Sequence, residues 1–151
     1  MVMTCSDTRT PDTDTSGSRI MHLLKDAGHD VVAYHLVKDE PSKIKAKIRT
    51  ALTNKKIQAI IINGGTGISK RDSTFEAVDG MLEKRLVGFG EIFRYLTYKD
   101  IGSSAIMSRA TAGIIKGRVL FSTPGSENAV RLAMEKLILP ELGHLVKELT
   151  K

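Results

Sequence analysis

The chain has 151 residues, 41% of them hydrophobic and 26% charged, with a net charge of +6 and one cysteine. This length suits one domain with its own core, and the composition excludes collagenous, mucin-like and bulk-disordered chains. No apolar run approaches the roughly 18 residues of a membrane span, residues 1–9 do not resemble a signal peptide, and Cys5 has no partner for an internal disulfide. We therefore expect a single domain over residues 1–151, located in the cytoplasm and without a membrane partner.

Strand-like and helix-like patterns alternate along the first half of the chain. They predict a short apolar start over residues 1–5, a polar loop over 6–15, a helix that ends at Gly28, a strand over 31–37, a basic helix over about 42–54 after Pro41, and a strand over 57–62. The run from Ile57 to Ile62 is rich in β-branched residues, as is typical of a strand that is covered on both faces.

The second half continues this alternation. It predicts a helix around Phe75, Val78 and Leu82, a Gly88-Phe89-Gly90 turn, a helix over 92–98, an ambiguous stretch over 104–115, a strand over 119–121, a helix over 129–137 that Pro140 breaks or kinks, and a last helix over 141–149. Ser73 and Glu76 have the spacing of a capping box. The alternation favours an α/β domain with a mostly parallel central sheet.

The excess positive charge is concentrated between Lys38 and Lys56, where seven basic residues stand against two acidic ones. Ile44, Ile48 and Leu52 form an apolar stripe within this segment. The pattern favours an amphipathic helix with a solvated basic face. The alternative is a nucleic-acid-binding surface, but the segment lacks the aromatic residues that stack on bases.

Four polar or glycine-rich segments follow predicted strands, at the sheet edge where ligands bind in open α/β folds. They are residues 6–17, 38–40, 63–72 and 122–128. Ser108-Arg109 is a fifth candidate that is placed separately.

The segment over residues 63–72 carries the clearest signal. Three glycines within Gly64–Gly67 allow positive φ angles and a close approach of the backbone to a ligand, and exposed N–H groups in such a turn form an anion-binding nest. A tight strand-to-helix turn without a ligand is the alternative. The segment matches neither the dinucleotide fingerprint G-x-G-x-x-G nor the P-loop, which disfavours a nicotinamide-dependent oxidoreductase.

Carboxylates accompany these loops. Aspartates that lie beside phosphate-binding loops can hold Mg²⁺, although a lone loop aspartate is more often a cap or a turn former. Ser126 is placed to cap the helix that follows residues 122–125. The four histidines lack ligand spacing, so no zinc site is expected.

Taken together, these segments resemble the family of molybdenum cofactor biosynthesis protein B and the molybdopterin adenylyltransferases. The matching stretches occur in family order over almost the whole chain: Thr4–Arg9, Asp14–Gly17, Val37–Glu40, Gly64–Ile68, Arg71-Asp72, Gly88–Arg94, Met107–Ala110 and Pro124–Ser126.

The resemblance implies a three-layer α/β/α sandwich that assembles as a trimer or as a hexamer of two trimers. It implies binding of molybdopterin, a pterin dithiolene with a terminal phosphate, and transfer of AMP from ATP to that phosphate with help from Mg²⁺. Asp39 and Asp72 correspond to the family's two important aspartates and are the catalytic and Mg²⁺-binding candidates. The candidate substrate-binding residues are Ser6, Asp7, Ser16, Gly17, Gly64, Gly65, Thr66, Gly67, Ser108, Arg109, Pro124, Gly125 and Ser126.

One alternative stays within the same pathway, namely a molybdopterin-binding partner or scaffold without turnover. The segment Phe89–Tyr98 bears on assembly, since it holds four of the seven Phe and Tyr residues. Its helical spacing fits a buried core helix, and its aromatic residues and Arg94 also fit an interface. The resemblance favours an oligomer interface near this segment.

Overall fold

A computed structural model describes all residues, 1–151, and contains six strands and six α-helices. The strands are β1 (Val2–Cys5), β2 (Tyr34–Val37), β3 (Ala59–Asn63), β4 (Lys84–Arg85), β5 (Thr111–Ile115) and β6 (Arg118–Thr123). The α-helices are α1 (Thr15–Asp26), α2 (Pro41–Thr53), α3 (Thr74–Asp79), α4 (Val87–Ile101), α5 (Glu127–Ala133) and α6 (Leu139–Leu149). A 3-10 helix, Gly102–Met107, follows α4, and a π-helical turn, Met134–Ile138, joins α5 to α6.

All strands belong to one sheet with the order β2-β1-β3-β6-β5-β4. The pairs β2–β1, β1–β3 and β3–β6 are parallel, whereas β6–β5 and β5–β4 are antiparallel. Only β5 therefore runs against the other strands, which confirms the mostly parallel sheet. The carboxyl ends of β1, β2, β3 and β6 meet at one edge, and the chain changes direction across the sheet between β1 and β3. Such a switch point is where open α/β sheets bind ligands.

The side chains of the sheet divide between two cores, because successive residues of a strand point to opposite faces. On β3, Ile61 packs into a core with residues of α1, α4, α5 and α6, while Ile60 and Ile62 pack into a second core with residues of α2 and α3. This arrangement confirms the three-layer α/β/α sandwich. In α2, Ile44 and Ile48 are fully buried, as the apolar stripe predicted.

The predicted turn at Gly88-Phe89-Gly90 is wrong, since all three residues lie inside α4. A Cβ atom at Gly90 would come within 2.7 Å of the Ala110 carbonyl oxygen. Gly90 therefore lets α4 pack closely against the chain that precedes β5. In the sequence, a glycine needed for close packing cannot be told from a glycine in a turn.

The predicted capping box at Ser73 and Glu76 is also wrong. Ser73 makes no side-chain cap to α3. Its hydroxyl instead donates to the Asp39 carboxylate, and Glu76 pairs with Arg109. Long-range partners compete successfully with the local cap that the spacing suggests.

Other differences concern boundaries. β2 begins at Tyr34 rather than at residue 31, the ambiguous stretch over 104–115 divides into the 3-10 helix and β5, and β4 was not predicted. Pro140 lies in the first turn of α6, where its missing N–H costs little, so the chain stays helical from α5 to α6. No helix combines the length and the apolar character that crossing a membrane requires.

Candidate functional site

A cleft of about 1060 Å³ opens at the edge where the parallel strands end. One wall consists of the loops that follow β1, β3 and β6. The opposite wall comes from α4, the 3-10 helix, α5 and the π-helical turn. The cleft therefore lies at the switch point of the sheet, as the loop positions predicted.

The loop Gly64–Gly67 after β3, called here the glycine loop, needs glycine for its conformation. Gly64 and Gly65 have φ angles of +99° and +63°. A Cβ atom on Gly64 would lie 2.2 Å from the Cys5 carbonyl oxygen, so the loop passes directly over the end of β1. The main-chain N–H groups of Gly65, Thr66 and Gly67 donate to no acceptor within the chain. Such free donors on a loop that borders a cleft are the elements of an anion-binding nest.

A second loop, Pro124–Ser126 after β6, touches the glycine loop. A Cβ atom on Gly125 would lie 3.1 Å from the Gly64 Cα atom. The carbonyl oxygen of Gly125 accepts hydrogen bonds from Ser16 Oγ at 2.7 Å and from Arg9 Nη2 at 2.9 Å. Ser126 Oγ accepts from the Ala129 N–H at 3.2 Å, which confirms the predicted cap of α5.

The buried Asp14 organises the loop between β1 and α1. Its Oδ1 accepts from the Gly17 N–H at 2.9 Å and from Arg9 Nη1 at 3.1 Å, and its Oδ2 accepts from the Tyr34 hydroxyl at 2.5 Å. Burial alone would raise the pKa of Asp14, but hydrogen bonds from Thr4, Tyr34, Gly17 and Arg9 outweigh it and hold the pKa below its usual value. Asp14 therefore stays charged and ties Arg9 to the second loop.

Asp39 lies underneath the glycine loop. Its Oδ1 accepts from Ser73 N–H at 3.2 Å, Ser73 Oγ at 2.8 Å and Thr74 Oγ1 at 3.2 Å. A Cβ atom on Gly65 would come within 2.2 Å of Asp39 Oδ2. The exposed Asp7 accepts from the Asp39 N–H at 3.2 Å. The Asp39 carboxylate thus supports both the start of α3 and the underside of the loop.

Asp72 borders the cleft at the other end of the glycine loop. Its Oδ2 accepts from the Ser69 N–H at 2.9 Å, and a Cβ atom on Gly67 would lie 2.7 Å from this oxygen. Asp72 Oδ1 accepts no hydrogen bond within the chain. One oxygen of Asp72 therefore holds the turn, and the other is available to a ligand.

Arg109 contacts the glycine loop through carbonyl oxygens. Its Nε donates to Thr66 O at 3.0 Å, and its Nη2 donates to Gly67 O and to Asp72 O. Its Nη1 pairs with the largely exposed Glu76, whose pKa is held below its ordinary value by this hydrogen bond. Arg109 is not among the residues that line the cleft.

Ten of the predicted site residues line the cleft: Ser6, Gly64, Gly65, Thr66, Gly67, Asp72, Ser108, Pro124, Gly125 and Ser126. Five others lie outside its walls: Asp7, Ser16, Gly17, Asp39 and Arg109. Of these five, Ser16, Asp39 and Arg109 hydrogen-bond to the loops or to the helix start that supports them. The structure thus divides the predicted residues into a lining set and a supporting set, and Asp7 and Gly17 instead contact Asp39 and Asp14.

Two groups of cleft residues were not named among the predicted site residues, although Asn63 lies within the candidate segment 63–72. Cys5 and Asn63 end β1 and β3 and form part of the floor. The side-chain oxygens Asn63 Oδ1 and Ser108 Oγ are buried without a hydrogen-bond partner. The opposite wall includes Thr97, Asp100, Ser104, Arg131 and Lys136. These residues lie in helices, where no glycine or turn signal distinguishes a ligand-facing side chain from a solvated one.

No group of three or more His, Cys, Asp or Glu side chains is arranged to hold a metal ion. Burial raises the pKa of the Cys5 thiol to about 12, and the negative charge of Asp39 adds to this shift. Burial thus favours the protonated thiol form of Cys5.

Residues 1–144 match the protein family described as "Probable molybdopterin binding domain". The chain is 52% identical to molybdenum cofactor biosynthesis protein B of Bacillus subtilis, over 99% of this chain and 89% of the relative. A crystal structure of a molybdenum cofactor biosynthesis protein B superposes with a TM-score of 0.96 at 53% identity, over 99% of this chain and 93% of the other. The tungsten cofactor synthesizing protein MoaB from Pyrococcus furiosus gives a TM-score of 0.87 at 34% identity, over 99% and 95%.

Proposed function

Since the chain belongs to the molybdopterin-binding family of molybdenum cofactor biosynthesis proteins, we propose that it transfers AMP from ATP to the terminal phosphate of molybdopterin. The observation that carries this proposal is the row of unpartnered N–H groups on the glycine loop, at the edge of a cleft large enough for a nucleotide and a pterin.

The reaction brings two anions together, so its main obstacle is electrostatic. A phosphate oxygen of molybdopterin attacks the α-phosphorus of ATP, a new P–O bond forms, and the bond to the β-phosphate oxygen breaks as pyrophosphate leaves. The attacking oxygen is already anionic near neutral pH, and no strong general base is needed. Catalysis then depends on positioning and on charge stabilisation, which free N–H donors on a fixed loop supply.

The two aspartates have different surroundings in this scheme. Asp72 lines the cleft and keeps Oδ1 free of hydrogen bonds, whereas Asp39 keeps Oδ2 free but lies under Gly65. Mg²⁺ usually takes one or two carboxylates and fills its remaining positions with phosphate oxygens and water. The free carboxylate oxygens of Asp72 and Asp39 are ligands of the kind that an Mg²⁺ ion bound to ATP takes. Bound there, Mg²⁺ would neutralise phosphate charge, with Asp72 as its ligand from the cleft wall and Asp39 as a second carboxylate behind the glycine loop.

A molybdopterin-binding protein without turnover is the second candidate. The observation that favours it is the environment of Asp39, whose Oδ1 already accepts three hydrogen bonds and which does not line the cleft. None of the basic residues of α2 contributes to the cleft, so a nucleic-acid surface there would be separate from the proposed site.

Release of pyrophosphate separates the two candidates. The protein is incubated with ATP, Mg²⁺ and molybdopterin, and pyrophosphate is measured against a reaction that lacks molybdopterin. We expect release that depends on molybdopterin and on Mg²⁺. Tight binding of molybdopterin without any release would leave the non-catalytic function, and absence of both would contradict the proposal.

A further inference from the structure

We propose that Arg109 is a positioning residue that turns the peptide groups of the glycine loop so that their N–H groups face the cleft. The sequence predicted Arg109 as a substrate-binding residue, and its contacts point to this different role. The inference rests on the proposed phosphate-binding function of the loop, and it adds the residue on which the loop's donor geometry depends.

The guanidinium group of Arg109 is occupied by the protein itself. Two carbonyls of the glycine loop, those of Thr66 and Gly67, and the carbonyl of Asp72 accept its hydrogen bonds, and Glu76 accepts from its remaining terminal nitrogen. The guanidinium also lies 5.0 Å from the centre of the Phe75 ring. Thr66, Gly67 and Asp72 line the cleft and Arg109 does not, so the guanidinium contacts these residues from outside the cleft lining.

Peptide geometry converts these contacts into an orientation. No peptide bond in the chain is cis, and in a trans peptide the C=O of one residue points opposite to the N–H of the next. Because the carbonyls of Thr66 and Gly67 are directed at Arg109, the N–H groups of Gly67 and Ile68 are directed away from it. The Gly65 carbonyl accepts from the Thr74 N–H at 3.1 Å, which fixes the Thr66 N–H in the same way. Of the free donors that line the cleft, Arg109 thus orients the Gly67 N–H, and the Thr74 N–H orients the Thr66 N–H through the Gly65 carbonyl.

A loop with three glycines needs such external restraint. Glycine gives the backbone many accessible conformations, so a free loop loses the most entropy when it orders around an anion. The planar fork of arginine can bind several carbonyls at once, whereas a lysine ammonium acts as a point charge on a flexible stem. Glu76 is the more exposed member of the ion pair, so solvent screens this contact and it contributes less than the carbonyl contacts.

The test compares Arg109→Ala and Arg109→Lys with Glu76→Gln, a matched control that removes the ion pair but keeps the carbonyl contacts. Order of the loop is measured from the backbone amide signals of residues 65–68 by heteronuclear NMR. Affinity is measured by titration with inorganic pyrophosphate, and folding is checked by circular dichroism. We expect Arg109→Ala to disorder the loop amides and to weaken pyrophosphate binding at least about tenfold, which corresponds to about 1.4 kcal/mol.

Arg109→Lys should retain the fold and still fail to restore the loop order, whereas Glu76→Gln should leave order and affinity within about twofold of the parent. If Arg109→Ala does not fold, the lysine variant carries the comparison. Unchanged loop order and affinity in a folded Arg109 variant would overturn the inference, as would a parent protein whose loop amides do not respond to pyrophosphate. Failure of the parent to adenylylate molybdopterin while its loop binds pyrophosphate would count against the proposed function alone, with the role of Arg109 intact.

Discussion

Replacement of Gly65 by alanine probes the contact between the glycine loop and Asp39. Gly65 has a φ of +63°, and an added Cβ atom would come within 2.2 Å of both Asp39 Oδ2 and Thr74 Oγ1. Both of those side chains are themselves held by hydrogen bonds at the start of α3. The methyl group cannot be accommodated unless Asp39 or the loop moves.

Gly28 provides a control that separates the two free-energy costs of Gly65→Ala, namely backbone strain and steric overlap. Gly28 also has a positive φ, +80°, but no atom lies within 4 Å of its added Cβ position. Gly28→Ala should therefore cost only the left-handed strain, about 1–2 kcal/mol. Gly65→Ala should cost that strain and a steric term of about 1–3 kcal/mol, a total of roughly 2–5 kcal/mol. Most domains have about 5–15 kcal/mol of stability, so the variant should still fold.

Urea unfolding followed by circular dichroism measures both variants, since the chain has no tryptophan for fluorescence. Pyrophosphate titration of the folded proteins then shows whether the displaced loop still binds anions. We expect Gly65→Ala to be less stable than Gly28→Ala and to lose affinity, while Gly28→Ala keeps the parent affinity. Equal losses of stability in the two variants, or full affinity in Gly65→Ala, would refute the reasoning about the loop.

Three further predictions concern other parts of the molecule. Asp72→Asn should fold normally and lose most molybdopterin-dependent pyrophosphate release, because an amide is a poor Mg²⁺ ligand; near-parental turnover at saturating Mg²⁺ would contradict this role. Tyr34→Phe should cost about 1.5–3 kcal/mol at pH 7, since it removes a hydrogen bond to the charged Asp14. The pKa of Asp14 is lowered by folding, so its charge stabilises the protein above its unfolded pKa of about 3.9, and this contribution is lost as the pH falls through the folded pKa. The loss of unfolding free energy caused by Tyr34→Phe should therefore become smaller below about pH 4. A loss that does not change with pH would contradict the role of the Asp14 charge. Tyr95, 58% exposed on α4, should anchor an interface between copies of the chain, so Tyr95→Glu should shift sedimentation from a trimer or hexamer to smaller species, with the exposed Thr50→Glu of α2 as control. A parent protein that sediments as a monomer at micromolar concentration would contradict this interface.

The sequence allowed most of the fold to be predicted, because its strong signals are local and periodic. The apolar stripe of α2 and the β-branched run of β3 were confirmed in the structure. The short strands β4 and β5 were not predicted, since Lys84 and Arg85 are both exposed and Gly113 interrupts the pattern of β5. Gly90 misled the prediction because a glycine for close helix packing and a glycine for a turn look alike in a sequence.

The candidate site was predictable only where loops carry it. Glycine and hydroxyl residues at strand ends identified the lining set, while the helical wall with Thr97 and Arg131 gave no local signal. The placement of Arg109 depends on the path of the chain between α4 and β5, which no spacing in the sequence reveals. The same limit applies to Asp39, whose hydrogen-bond partners Ser73 and Thr74 are more than 30 positions further along the chain.

The buried Cys5 gives the molecule a built-in reporter of motion at the floor of the cleft. It is the only thiol in the chain, it is 3% exposed, and its pKa of about 12 keeps it in the unreactive thiol form at neutral pH. Alkylation then requires transient openings that expose the sulfur atom to the reagent. The labelling rate under native conditions would therefore measure the free energy of that local opening, and a ligand that clamps the loop should slow the rate in proportion to its occupancy.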